Sequence, residues 1–204
     1  MALIYTFLVL TIVSIVILFF RRKRAQTNNA IRINDTYDLQ TISIADIDQM
    51  EDGTEFEEYL LRLLRALGYS DAYKTVGSHD FGADLVFTDS NGNRNIIQAK
   101  RYKIELSIGI DAVQQIYTAR NYYQAKKATV IGTTKYTDSS DTLAGVNGVL
   151  LLDRKDLIDI ITAYKIGDLI KARNIIEKEP RIIYEFWDNK DKTTEIKKDK
   201  KISL

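Results

Sequence analysis

Two strand-forming segments around a turn of asparagine and glycine constrain this chain more than any other feature. Residues 83–88 and 95–101 read as strands and flank Ser90-Asn91-Gly92-Asn93, which is hairpin chemistry. A hairpin sets a register, and register decides which side chains share a face. With Asn91-Gly92 alone as the loop, Asp84 stands opposite Ala99 and points away from Gln98 and Lys100. A three-residue loop of Ser90, Asn91 and Gly92 puts glycine last, where a left-handed backbone is needed, and pairs Asp84 with Gln98. Strand side chains alternate, so Gln98 and Lys100 then share the face of Asp84. The predicted register is this second one, or a bulge that restores it.

A carboxylate, an amide and an ammonium on one face form a set suited to phosphodiester hydrolysis. That reaction needs charge neutralised at phosphorus and an activated water. A hard cation such as Mg²⁺, or Mn²⁺ in its place, takes oxygen ligands. Asp84 offers a carboxylate, Ala99 a backbone carbonyl, and Gln98 a neutral amide oxygen, a weaker ligand than Asp or Glu. Lys100 can position the water and stabilise developing negative charge. Glu55, Glu57 and Glu58, at the start of a predicted helix, are candidates for a second carboxylate. The spacing alone is not specific, because a strand Asp beside a strand Lys is more often a surface ion pair.

Composition narrows the rest. The net charge is +1, so affinity for a polyanion must come from local patches. There is no cysteine, which removes disulfides and Cys-based zinc sites. The one histidine, His79, excludes His-cluster metal sites and argues against a Ser-His hydrolase.

Residues 2–20 carry no charged side chain and, as a helix, are about 28 Å long, close to the hydrocarbon thickness of a bilayer. The basic cluster Arg21-Arg22-Lys23-Arg24 follows, which predicts a single-pass anchor with the remainder in the cytoplasm. A cleaved signal peptide would want basic residues before the apolar run and a small-x-small site after it.

Residues 25–48 read as a polar linker, with 41–44 alternating as a short strand. The domain is expected over 49–166. Phe56, Tyr59, Leu60, Leu63, Leu64 and Leu67 form a helical stripe, with Asp52 or Thr54 as cap and Gly68 after its end. Strands follow at 72–76, 83–88 and 95–101, a helix at 110–125, strands at 128–134 and 149–152, and a helix at 153–164. This is an α/β domain with a mixed sheet. Residues 167–178 suggest one more helix. Between residues 179 and 204, six acidic and seven basic side chains nearly cancel, which reads as a solvated tail. Tyr184-Glu185-Phe186-Trp187 interrupts it and can dock back on the domain or recruit a partner.

Several ordered motifs resemble the catalytic domain of the Mrr-type restriction endonucleases, within the PD-(D/E)xK nuclease superfamily. They run from Gly53-Thr54-Glu55-Phe56-Glu57-Glu58-Tyr59 and Leu67-Gly68-Tyr69 to His79-Asp80-Phe81-Gly82-Ala83-Asp84-Leu85 and Gln98-Ala99-Lys100-Arg101-Tyr102. Asp111-Ala112-Val113-Gln114-Gln115, Tyr122-Tyr123-Gln124-Ala125, Tyr136-Thr137, Leu143-Ala144 and Val149-Leu150-Leu151-Leu152-Asp153-Arg154 complete the set, about half of the chain. The resemblance implies a restriction-endonuclease-like three-layer core and metal-dependent cleavage of DNA, in restriction of foreign DNA. It implies a catalytic core of Asp84, Gln98 and Lys100, with Glu57 as helix carboxylate near the metal and Gln114 as a polar residue facing the site. The wider superfamily usually has Asp or Glu where Gln98 stands, whereas Gln-x-Lys is this branch's own pattern. The chain departs from the family at residues 138–142, where Asp141 stands in place of a small alanine.

Asp80 fits either a metal role or a turn before Gly82. Arg101, Lys103, Arg120, Lys126 and Lys127 are candidates for phosphate contact, and Tyr122 and Tyr123 read as packing residues. A double-strand break from single-metal sites favours a homodimer. The competing expectation is a non-catalytic module that holds DNA or a protein at the membrane.

Overall fold

The computed structural model describes residues 37–76 and 81–183, together with Ile15 and Leu18. Five strands form one sheet in chain order: β1 (Tyr73–Lys74), β2 (Leu85–Thr88), β3 (Arg94–Lys100), β4 (Lys127–Gly132) and β5 (Val149–Leu152). The first three are antiparallel, and β3–β4 and β4–β5 are parallel. Parallel neighbours need a crossover, and helices α3 (Ile110–Tyr122) and α4 (Asp138–Asn147) supply the two required here. These crossovers cover one face, over Val86, Ile96, Ala128 and Val130. The other face carries the larger core, built on α1 (Ile44–Asp48), α2 (Gly53–Ala66), α5 (Arg154–Lys165) and α6 (Leu169–Ile176). The result is the expected three-layer α/β core with a mixed sheet.

Helix α2 follows its sequence signals. The Asp52 carboxylate accepts from the Glu55 N–H at 3.1 Å, and Gly68 takes φ +103° just past the end. Phe56, Tyr59, Leu60, Leu63 and Leu64 are buried against the sheet, each contributing roughly 1.5–3 kcal/mol by removal from water.

Residues 41–44 are not a strand: Ser43 caps α1, its N–H and Oγ both donating to Asp46 Oδ2 at 2.7 Å. Those two bonds, Oγ first, hold the Asp46 carboxyl below its usual range. The fold also begins before residue 49, because Ile42 and Ile47 are buried in the core and Arg62 and Lys165 bond the carbonyls of Tyr37 and Thr41. Helix α4 was not foreseen. Its segment is polar, and only Ser140, Ala144 and Gly145 turn inward. Its end signals are nonetheless present: Thr137 Oγ1 accepts from the Ser140 N–H at 3.2 Å, and Gly148 closes the helix at φ +63°.

The hairpin has the predicted register. Thr88 pairs with Arg94 and Leu85 with Ile97. Beyond them the Asp89 N–H donates to Asn93 O at 2.9 Å, enclosing Ser90, Asn91 and Gly92, and Gly92 is left-handed at φ +77°. The Asp89 carboxylate accepts from the N–H groups of Asn91 and Asn93, both at 2.9 Å. Burial pushes that carboxyl up, but these bonds and the amides of Asn93 and Asn95 outweigh it, so its pKa is lowered. The turn's contribution is therefore present above the ordinary Asp range and lost as pH falls below it. Among the described residues a Cβ at Gly92 would meet no atom within 4 Å. Gly92→Ala should therefore cost only the left-handed backbone term, about 1–2 kcal/mol, read as a lower urea midpoint with an unchanged slope.

The chain past α6 is tied down as well. Glu177 accepts from Tyr69 Oη at 2.6 Å and from Ser90 Oγ at 2.5 Å, clamping the hairpin tip. Lys127 pairs with Glu179 at 2.6 Å, and the Ile183 N–H donates to Gly145 O at 3.0 Å. Residues 167–183 are thus part of the domain rather than of a tail.

Candidate active site

The site forms where the β2–β3 ladder ends. The Asp84 N–H donates to Ile97 O at 2.8 Å, although Leu85 is the residue that pairs with Ile97. Asp84 is thus one residue out of step, as at a bulge, which re-aims its side chain. Asp84 Oδ2 then accepts from the Ala99 N–H at 2.7 Å and from Gln98 Nε2 at 2.6 Å. On the other side Thr75 holds the strand, its N–H donating to Asp84 O at 2.9 Å and its Oγ1 to Ala83 O at 2.6 Å.

Asp84 and Gln98 are 7% and 6% exposed. A carboxylate so buried must be hydrogen-bonded or neutralised, and the two donors from β3 meet that need. Alternation along β3 sets Gln98 and Lys100 on the α3-covered face with Ile96, while Ile97 and Ala99 face the larger core. Lys100 Nζ donates to Gln115 Oε1 at 3.1 Å. The loop before β2 is pressed against the same helix: Gly82 sits at φ +92°, and a Cβ there would come within 2.8 Å of Gln115 O. One residue of α3 thus touches both the catalytic lysine candidate and the turn that delivers Asp84.

The donor set fits a hard cation. Among the described residues Gln98 Oε1 is buried without a hydrogen-bond partner, beside the Asp84 carboxylate. A buried acceptor left unmade is costly, and a water or a cation placed there would meet it. Among the described residues no three His, Cys, Asp or Glu side chains gather as a cluster, so the oxygen ligands on offer are one carboxylate, one amide and main-chain carbonyls, as Mg²⁺ accepts with waters.

Other candidates are placed differently. Glu57 pairs with Lys74 at 2.8 Å. Lys74 stands opposite Leu85 on the α2-covered face, so Glu57 meets the sheet from the side away from Gln98 and Lys100. Gln114 lines a groove between α3 and α4. The glutamine that reaches the site is its neighbour Gln115, which sequence reasoning missed. Adjacent helix positions differ by about 100°, and only the packing of α3 on the sheet shows which flank meets Lys100. Ala99 contributes its N–H to Asp84. Arg101 donates to Asp48 O and Glu51 O at 3.2 and 3.3 Å, bracing the α1–α2 connection rather than reaching outward. Lys127 is tied to Glu177 O and Glu179, and Arg120 lies over the Tyr117 ring. Tyr122 lies tilted against Phe81 with centroids 4.1 Å apart and meets Tyr123 edge-on. Asp80 and His79 lie outside the described residues.

Comparison with known proteins gives one family. The profile of Mrr_cat, described as restriction endonuclease, matches residues 47–161. Among curated proteins no sequence matches. Among solved structures, the DNA modification-dependent restriction endonuclease AspBHI aligns at 18% identity and a TM-score of 0.46, over 65% of this chain and 36% of its own. A protein of unknown function, AF1548, aligns at 16% identity and a TM-score of 0.41, over 59% of this chain and 92% of its own.

Proposed function

Because the chain belongs to the restriction endonuclease family that it matches over residues 47–161, we propose that it is a metal-dependent DNA endonuclease, tethered to a membrane and facing the cytoplasm. The observation that carries this reading is the convergence of Asp84, Gln98 and Lys100 on one face at the end of β3. Asp84, the Gln98 amide oxygen and the Ala99 carbonyl would hold the cation. A divalent ion held there would supply positive charge to the phosphate and would lower the pKa of a ligated water. Lys100 directs its remaining N–H donors at the phosphate oxygens or the attacking water, and Gln115 fixes where that ammonium stands. Plasmid DNA incubated with the protein and Mg²⁺ or Mn²⁺ should be nicked or linearised, and not with EDTA. Intact plasmid under all metal conditions would defeat the proposal. Linear product from two opposed cuts calls for two copies, so its yield should rise faster than protein concentration.

The part of Gln98 is separately testable. In Gln98→Glu a second carboxylate replaces the amide that donates to Asp84 at 2.6 Å. Without metal the like charges conflict, one carboxyl keeps its proton, and stability drops by about 1–3 kcal/mol. With Mn²⁺ the variant should gain more in melting temperature than the parent protein. Equal metal-induced shifts would remove Gln98 from the ligand set.

Apart from Ile15 and Leu18, residues 2–20, the proposed anchor, lie outside the described residues, and among the described residues no helix is long and apolar enough to cross a membrane. Span length and the basic cluster at 21–24 support the anchor. Retention in the membrane pellet after alkaline extraction is the expected result, and release to the supernatant would remove the anchor.

One observation favours a second reading, a DNA-holding module that does not cut. Asp84 Oδ2 is already engaged by two donors from β3. Retention of DNA with no metal-dependent nicking would select it.

A further inference from the structure

The groove between α3 and α4 lies on the flank of α3 away from Gln115. It has a volume of about 580 Å³ and is lined by Ile110, Gln114, Asp138, Thr142, Leu143 and Val146. Ile110 and Val146 are 40% and 39% exposed there, an apolar surface with polar groups at its rim. We infer that the chain's own segment 184–187, Tyr184-Glu185-Phe186-Trp187, seats in this groove.

The path of the preceding residues carries the inference. Lys178, Glu179 and Arg181 run along the far side of α4, beside Asp141, Ala144 and Gly145. Ile183 then lies across α4 at Gly145. Its N–H bonds Gly145 O at 3.0 Å, and its Cδ1 fills the space a Cβ at Gly145 would need, 2.6 Å away. That carbonyl is among the last four of α4, which no helical N–H can satisfy. On the helical wheel Asp138, Thr142 and Val146 follow Gly145 around α4 within about 100°, so the chain is delivered to the groove's edge. Four extended residues span about 13 Å, more than the roughly 10 Å width of a helix. What comes next in the sequence is the only aromatic cluster of an otherwise charged stretch. Phe186 and Trp187 can bury their rings on Ile110, Leu143 and Val146, and the indole N–H can meet Gln114 or Asp138.

Trp187 is the only tryptophan of the chain, so its fluorescence reads this contact directly. The measurement uses the full chain in detergent micelles, without DNA or metal, and so stands or falls apart from the nuclease reading. In the parent protein, emission should be blue-shifted and poorly quenched by acrylamide. Val146→Lys, at an exposed position, should move emission to the red and raise quenching several-fold with the melting temperature nearly unchanged. Ile110→Lys serves as the second variant should the first fail to fold. Emission and quenching unaltered by both would overturn the inference, as would a solvent-exposed Trp187 in the parent protein. Shielding that appears only as protein concentration rises would also overturn it, in favour of a second copy in the groove.

Discussion

Lys100→Ala should lower metal-dependent cleavage by about 10²–10³-fold, the usual loss when one preorganised charge is removed from a transition state, while the fold survives. The lysine stands at the end of β3 and its side chain donates to Gln115, so truncation leaves no buried donor behind. Asp84 calls for a milder substitution. Its carboxylate accepts the Ala99 N–H inside the protein, and Asp84→Ala would orphan that N–H at about 1–3 kcal/mol. Asp84→Asn keeps an oxygen for that bond and removes the charge, so it should abolish cleavage with little change in melting temperature. Single-turnover assays on plasmid DNA, read beside thermal melts, separate the two effects. Parental cleavage by both Lys100→Ala and Asp84→Asn would sink the site assignment.

The largest loss of stability is expected from Gly82→Ala. A left-handed backbone costs an alanine about 1–2 kcal/mol. At Gly82 the new methyl also meets the Gln115 carbonyl oxygen at 2.8 Å and its carbon at 2.9 Å, main-chain atoms of α3 that cannot turn aside. Overpacking of this kind adds about 1–3 kcal/mol. Together they predict a loss of about 3 kcal/mol and a fall of roughly 10 °C in melting temperature. Cleavage should fall further than stability alone requires, because the displaced residue is the one that holds Lys100. Gly92→Ala is the internal control: the same left-handed region, with no neighbour to strike among the described residues. Equal losses in the two variants would show that the close approach to α3 does not matter.

These contrasts indicate what the sequence could disclose. The face shared by Gln98 and Lys100 was legible because the period of two fixes it locally, whereas the bulge that aims Asp84 at Gln98 is not written in the turn. The stripe and caps of α2 were legible for the same kind of reason. Helix α4 was not, since a polar segment that buries only Ser140, Ala144 and Gly145 has almost no apolar period. The parallel pairing of β4 with β5 requires a crossover, but that pairing is not written in either strand. Gln115 was missed in favour of Gln114 because the rotation of α3 is set by its packing on the sheet. Glu57 sits where the helical pattern puts it, but its pairing with Lys74 depends on β1 lying at the sheet edge. Short-range rules supplied the elements, and the long-range contacts chose which neighbours they meet.

The clamp on the hairpin tip has a consequence for how the site comes into being. Ser90 and Tyr69 both bind Glu177, which the ribosome adds long after Lys100. A nascent or truncated polypeptide that stops short of this glutamate already possesses every group implicated in cutting. It lacks the latch that holds the turn to the rest of the body, so the hairpin tip gains its anchor only once Glu177 has been added.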